Sequence, residues 1–214
     1  MNVRLTHIGT ATLLLEIGSL RLLTDPVFDP AGGRYSFGYG TGGMKLTDPS
    51  IKPEAIGRID AVLLSHDQHE DNLDRAGRAL LPKVRQVITT QAGAKRLGGN
   101  ALGLKTWQGT TLASNGFQIK VTALPAHHGS LGSHLIVGKT TGFLLEWNGQ
   151  QNGALYISGD TVWFNGIHEI AGDTKSALPS CISAAQVSRS PDRSVSPSTP
   201  WTRSISSARL TCCA

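Results

Sequence analysis

Three short segments concentrate the side chains that could hold a metal ion or move a proton. They are His66-Asp67-Gln68-His69-Glu70-Asp71, Leu124-Pro125-Ala126-His127-His128-Gly129-Ser130 and Tyr156-Ile157-Ser158-Gly159-Asp160-Thr161. Neutral imidazole nitrogens and carboxylate oxygens are the ligands zinc prefers, and a catalytic zinc site leaves one position open for water. Binding lowers the pKa of that water to about 7, which supplies a nucleophile at neutral pH. Cysteine contributes little to this picture. Cys181, Cys212 and Cys213 all lie toward the C-terminal end and form neither a C-x-x-C pair nor an even disulfide framework. Any metal must therefore be held by His, Asp and Glu.

Each segment has a plainer explanation when taken alone. Residues 66 to 74 could open a helix, with Asp and Asn as caps. His127-His128 could be a surface pair, and Gly159-Asp160-Thr161 a turn. What favours chemistry is that all three lie at the end of an expected strand, so that one sheet could aim three loops at one point.

The elements follow from periodicity and punctuation. Ala11–Ile17 and Leu20–Thr24 read as strands joined at Gly18-Ser19, with Asp25-Pro26 ending the second. The glycine-rich stretch from Asp29 to Pro49 reads as a long loop of the kind that often serves as a lid. Ile59–Ser65 reads as a buried strand that runs into the acidic segment 66–74, with a helix following through Leu81. Val84–Thr90 is expected as a strand and Gln91–Leu97 as a helix stopped by Gly98-Gly99. Further strands are expected over Phe117–Leu124, Gly142–Trp147 and Ala154–Ser158. Strands in runs with helices between them point to a layered αβ sandwich.

Composition bounds the remaining choices. A chain of 214 residues with 39% hydrophobic and 16% charged residues holds one substantial core or two small domains. No stretch reaches the roughly 18 apolar residues of a membrane span, and no signal peptide is read at the start, so the cytoplasm is the expected compartment. The net charge of +5 does not carry a nucleic-acid reading well, because Lys175, Arg189, Arg193, Arg203 and Arg209 outnumber Asp173 and Asp192 in the last segment while the rest is close to neutral. Residues 173–214 contain no glycine, eleven serines and four prolines. The expected division is a folded domain over 1–172 and a disordered Ser/Pro/Arg-rich tail over 173–214, whose abrupt change of composition also suggests an altered reading frame near residue 172.

The order Thr6-His7-Ile8-Gly9-Thr10-Ala11-Thr12, Leu23-Thr24-Asp25-Pro26, Ser65-His66, Pro125-Ala126-His127-His128, Ser158-Gly159-Asp160-Thr161 resembles that of metallo-β-lactamase-fold hydrolases. The branch most similar contains the lactonase acting on ascorbate 6-phosphate and the phospholipase D that releases N-acylethanolamines. The resemblance runs from residue 3 to about 170. It implies an α+β, four-layer αββα sandwich, incomplete at its C-terminus. It also implies one or two zinc ions, and metal-activated water attacking a phosphoester, lactone or amide of a small molecule. By position, His66 and His69 correspond to the first histidine ligands, and His128 matches the third better than His127 does. Asp71 corresponds to the aspartate that binds the second metal and orients the nucleophilic water, and Asp160 to the bridging carboxylate. Asp25 and His7 would steer the ligands by hydrogen bonds.

Two departures qualify the likeness. The family pattern is His-x-His-x-Asp-His, whereas this chain reads His66-Asp67-Gln68-His69-Glu70-Asp71-Asn72. Aligned on His69 and Asp71, Asp67 and Asn72 replace the outer histidines; aligned on Ser65-His66, one residue is inserted. Either way a single ion, or a harder one such as manganese, becomes an alternative to two zinc ions. The family also supplies a late histidine, and beyond Asp160 only His168 is present. The alternatives to an active hydrolase are therefore an inactive remnant of one and, less favoured, a nucleic-acid binder acting through the basic tail. Oligomeric state leaves no readable signal.

Overall fold

The computed structural model describes residues 3–38, 41–128, 139–151, 153–166 and 169–170, and the backbone of two short strands at 180–182 and 202–205. Two sheets dominate these residues. The first runs β14-β1-β2-β3-β6-β7-β8, built from Thr202–Ile205, Val3–Gly9, Thr12–Ile17, Leu20–Thr24, Ala61–Leu63, Gln86–Thr90 and Ala101–Leu104. Its first pairings are antiparallel, and β3, β6, β7 and β8 are parallel to one another. The second runs β13-β12-β11-β10-β9, from Ser180–Ile182, Leu155–Ile157, Thr141–Glu146, Phe117–Pro125 and Gly109–Ser114.

The period-two alternation of the strands decides which residue faces which layer. Leu13, Leu15 and Ile17 of β2 meet Ile119, Val121, Phe143 and Leu145 of the second sheet in the core between the sheets. Leu14, one position out of phase, faces the opposite way with Leu23, Val62 and Leu64, against Leu73, Leu81 and Val84 around helix α1 (Arg75–Leu80). The outer face of the second sheet carries Leu124, Leu144 and Tyr156, covered by Ile170 of a helical segment. Strands buried on both faces explain the near-continuous apolar runs of β2 and β3. The arrangement is the expected αββα sandwich.

Of the parallel strands, β3, β6 and β7 are each followed by a loop or helix that leads back to the next strand of the first sheet, whereas β8 passes to β9 of the second. Asp74 caps α1 by accepting from Gly77 N–H at 2.7 Å, and Thr90 caps α2 (Gln91–Leu97) by accepting from Gly93 N–H at 3.0 Å. The capping explanation for the acidic segment is thus right for Asp74, while the residues before it are free for other work.

The glycine-rich stretch differs from expectation. It holds a hairpin, β4 (Arg34–Gly38) with β5 (Thr41–Met44). A Cβ at Gly42 would collide with the Tyr35 carbonyl, so that glycine serves close strand pairing rather than mobility. Strands β8 and β9 also escape the periodicity reading. Ala101–Leu104 carries Gly103, whose missing Cβ admits α2 at 2.6 Å from Gln91 Cα, and β9 buries only Leu112 among its six residues.

In the tail, β13 lies parallel to β12 and β14 antiparallel to β1. The rest of 173–214 lies outside the described residues, and with it the expected disorder, the reading-frame change and the cysteines other than Cys181; His168 lies outside them too. Among the described residues no helix is long and apolar enough to cross a membrane.

Candidate metal centre

Four loops meet at one end of the sandwich, each leaving the C-terminal end of a strand. They follow β3 (Asp25), β6 (Ser65 to Asn72), β10 (His127 and His128) and β12 (Gly159 and Asp160). Crevices of αβ proteins commonly form at such strand ends. The two sheets are tied there by Thr141 N–H donating to the Ser65 carbonyl at 3.1 Å. Gly159 closes the same seam. Its φ is +60°, and a Cβ on it would sit 2.7 Å from the Thr141 carbonyl oxygen and 2.9 Å from Ser65 Cβ. Only glycine tolerates both the backbone and the approach.

Three of the expected ligands form a triangle. His69 Nδ1 lies 3.0 Å from His66 Nε2 and 3.0 Å from His128 Nε2. The ring centroids are 4.8, 5.0 and 4.9 Å apart. A single ring nitrogen cannot serve both neighbours as a hydrogen-bond donor. Three imidazole nitrogens at this spacing suit a cation better, since zinc–nitrogen bonds of about 2.0–2.1 Å in tetrahedral geometry put nitrogens about 3.3 Å apart. His128 is the histidine that enters. His127 turns away and stacks on Phe164 at 4.6 Å, with an interplanar angle of 11°.

The carboxylates flank this triangle. Asp160 Oδ2 lies 3.8 Å from His128 Nε2. Asp71 reaches Asp160 through Asn72, whose amide nitrogen is best assigned to the side 3.1 Å from Asp160 Oδ2 and 3.2 Å from Asp71 Oδ1. Two carboxylate oxygens need donors, so this assignment is preferred to its reverse. The remaining amide atom, the oxygen, then faces Ser65 Oγ at 3.3 Å. Ser65 Oγ lies 3.0 Å from His66 Nδ1. One consistent chain results: His66 Nδ1–H donates to Ser65 Oγ, Ser65 Oγ–H to Asn72, and Asn72 to both aspartates. It leaves the lone pair of His66 Nε2 pointing into the triangle.

Asp25 supports the same loop. Its Oδ1 accepts from Ser65 N–H at 2.7 Å. Its φ of +27° is unusual for a non-glycine residue and typical of constrained sites. Thr12 Oγ1 holds this turn, donating to the Asp25 carbonyl at 2.7 Å and accepting from Val27 N–H at 2.9 Å. His7 does not share that role. It is exposed, with a ring nitrogen 3.1 Å from the Thr10 carbonyl.

Electrostatics favour neutral imidazoles and reluctant carboxylates. Burial, with His69 and His128 nearby, pushes His66 down to about 3; burial and His128 also lower His69. Burial, then Asp160, raises Asp71 to about 6, and burial raises Asp160 although His128 opposes it. Asp25 rises to about 8, chiefly by burial and against its bonds from Ser65. Neutral histidines beside carboxyl groups that burial keeps from ionising form a donor set whose metal-binding form a cation would stabilise.

Asp67 points elsewhere. Arg96 of α2 binds both of its oxygens, at 2.8 and 2.5 Å, and Arg78 donates to its carbonyl at 3.0 Å. His66 rather than Asp67 therefore faces the triangle, as the alignment with an inserted residue requires. Glu70 exchanges hydrogen bonds with Ser36 of β4, accepting at 2.6 Å and donating at 3.3 Å, which docks the hairpin on the histidine loop. Ser65, Asn72 and Arg96 were not singled out as site residues by sequence. Only Asn72 carried a signal, its place at the end of the histidine motif.

Comparison with known proteins agrees with this picture. Residues 20–181 match the family model of the beta-lactamase superfamily domain. The UPF0173 protein YddR of Bacillus subtilis is 26% identical over 175 residues, covering 78% of this chain and 66% of that protein. The N-acyl-phosphatidylethanolamine-hydrolyzing phospholipase D 1 of Caenorhabditis elegans is 27% identical over 135 residues, covering 58% of this chain and 37% of that protein. This chain thus spans less than two thirds of the length of either relative. The structure of a possible metal-dependent hydrolase from Veillonella parvula superposes with a TM-score of 0.65 at 21% identity, covering 81% of this chain and 68% of that one. The isothiocyanate hydrolase from Delia radicum gut bacteria gives 0.64 at 23% identity, covering 80% and 68%. The family match takes in the loops that carry His66, His69, Asp71, His128 and Asp160, and the chain belongs to the beta-lactamase superfamily, with the metallo-β-lactamase fold.

Proposed function

We propose that this chain is a metal-dependent hydrolase of a small molecule, and that His66, His69 and His128 hold the metal. The observation that carries the reading is their convergence: one ligand nitrogen from each lies within 4.8 Å of the others. His66 and His69 come from the first sheet and His128 from the second. The donor set of neutral imidazoles with carboxylates beside them fits zinc, and manganese would be drawn more by the carboxylates. When bound, the ion supplies Lewis acidity and a water acidic enough to act at neutral pH. The chain's residues do the rest. Ser65 and Asn72 fix the tautomer of His66, Asp71 positions the attacking water and accepts its proton, and Asp160 holds negative charge next to His128.

The substrate class is a phosphoester, lactone or amide. The proteins named above include a phospholipase D that hydrolyses N-acyl-phosphatidylethanolamine and an isothiocyanate hydrolase, and both kinds of substrate offer water an electrophilic centre. Exposed Val162 and Trp163, two and three residues beyond Asp160, give the rim an apolar side. A direct test measures zinc bound to the purified 214-residue chain and hydrolysis of bis(4-nitrophenyl) phosphate, a lactone and an anilide. Retained zinc with turnover of one of these, both lost in His66→Ala, is expected. Folded protein that retains no zinc contradicts the reading, and zinc without turnover favours the inactive alternative. Action within the cytoplasm remains part of the proposal, since the fold itself carries no address.

A further inference from the structure

We propose that Asn72 stands where a second cation would otherwise bind, so that the centre holds one metal ion and not two. The inference rests on the histidine triangle being a metal site, and it adds what the neighbouring carboxylate pair does.

Asp71 and Asp160 are brought together by two different sheets and are largely shielded from water. Two such carboxylates facing one space repel each other and call for a positive group between them. A divalent cation is the usual answer, and here the space holds the Asn72 amide. Both of its N–H groups are used, one toward Asp160 Oδ2 at 3.1 Å and one toward Asp71 Oδ1 at 3.2 Å. The amide cannot rotate to release them without loss. Its oxygen is held by Ser65, and Ser65 is itself fixed through its N–H by Asp25 and through its hydroxyl by His66 Nδ1. Reversing the amide would set its oxygen against two carboxylates.

Asn72 is 1% exposed, so water has little access to replace its donors. The same side chain therefore does two things: it satisfies the carboxylate pair without a metal, and it sets the proton on the far side of His66 so that Nε2 stays free for the one ion.

The test is a count of bound zinc on the full chain, with Cys181, Cys212 and Cys213 alkylated so that thiolates do not contribute. Metal retained after desalting is measured for the unaltered protein, for Asn72→Asp and for Asn72→Ala, each checked for folding by circular dichroism. Asn72→Asp keeps the shape but replaces two donors by an acceptor, and Asn72→Ala removes the group altogether. One zinc per chain is expected for the unaltered protein, rising to two in Asn72→Asp or Asn72→Ala. Two zinc ions on the unaltered protein would overturn the inference while leaving the metal reading intact. One zinc on all three folded proteins would overturn it as well, since the amide would not be what excludes the second ion. No zinc on the folded, unaltered chain would instead remove the reading on which the inference rests. Should neither variant fold, the count on the unaltered protein alone decides between one and two.

Discussion

Arg96 holds both carboxylate oxygens of Asp67, at 2.8 and 2.5 Å, immediately beside His66. The Asp67 side chain is 4% exposed and that of Arg96 45%. Burial alone would raise the Asp67 carboxyl, but the hydrogen bonds and charge of Arg96 outweigh it and hold the group below its ordinary range. The pair therefore ties α2 to the histidine loop, and it does so through a fork that lysine cannot reproduce. Arg96→Ala strands a buried carboxylate. Losing one partner of a fully buried pair costs about 3–5 kcal/mol, and the exposure of Arg96 lets water recover part of that, so about 1–3 kcal/mol is expected. Urea unfolding of the metal-free protein measures it, with Arg96→Lys falling between. Zinc affinity should drop about 10-fold in Arg96→Ala, as for other groups that support a metal ligand from behind. An unchanged midpoint and unchanged affinity would mean that the pair is decorative.

The adjacent histidines give a sharper contrast. His128 Nε2 belongs to the triangle, whereas His127 stacks on Phe164, donates its backbone N–H to Thr161 Oγ1 and accepts from Val162 N–H at its carbonyl. His128→Ala should abolish zinc retention on desalting. His127→Ala should keep it, with only a modest loss of thermal stability from the missing stack. Competition of each variant against a zinc chelator reads the difference. Equal loss in both variants would show that the triangle is not what binds the ion.

Much of this arrangement was legible from residue order, and the reason is physical. Strand ends are marked by proline, glycine and the switch from apolar to polar residues, so the positions of His66, His128 and Asp160 at strand ends could be read directly. The choice of His128 over His127 rested on the family resemblance and not on periodicity, because the side-chain alternation of β10 stops at Pro125, before either histidine. Asp67 shows a second limit. A carboxylate between two histidines has the composition of a ligand, and only the tertiary approach of Arg96, 29 positions away in sequence, turns it outward. The hairpin β4–β5 was hidden by its glycines, which read as loop although Gly42 is required by contact with Tyr35. Strand β9 escapes that reading because its partner is β10 and only Leu112 of its residues is buried, with Thr110 and Ser114 half-buried and Thr111 exposed. Its evidence lies in pairing rather than in its own pattern.

Asp25 predicts a pH dependence. Its folded-state carboxyl titrates near 8 against 3.8 when unfolded. A raised pKa means that the stabilising contribution is complete below the unfolded value and is lost as pH rises through the folded one. Between about pH 7.5 and 8.5 His66, His69 and Asp71 contribute little slope, because their folded and unfolded values lie at or below 6.5, about a unit or more beneath that window. The metal-free protein should therefore lose stability across this window, at up to about 1.4 kcal/mol per pH unit. Asp25→Asn, which keeps the Ser65 acceptor but cannot ionise, should flatten the slope of Tm against pH. A slope that persists in Asp25→Asn would assign it to another group.

Asp71 bears on turnover itself. Its carboxyl is buried, faces Asp160 and is pushed up to about 6, close to the range in which a general base works best at neutral pH. Asp71→Asn keeps the size and can still accept from the Asn72 amide through its oxygen, so the fold and the zinc held by the three histidines should survive. Hydrolysis should fall by about 10²–10⁴-fold if proton acceptance is the main role. The rate of the unaltered enzyme should rise with pH through an acid limb at or below about 6, because the ionised form is the active one and a nearby cation can only lower the value. That limb should vanish in Asp71→Asn, leaving a low rate that is flat in the same range. Parallel loss of zinc and activity would instead make Asp71 a metal ligand first. Full activity in the variant would move the base to Asp160, whose Oδ2 lies 3.8 Å from His128 Nε2.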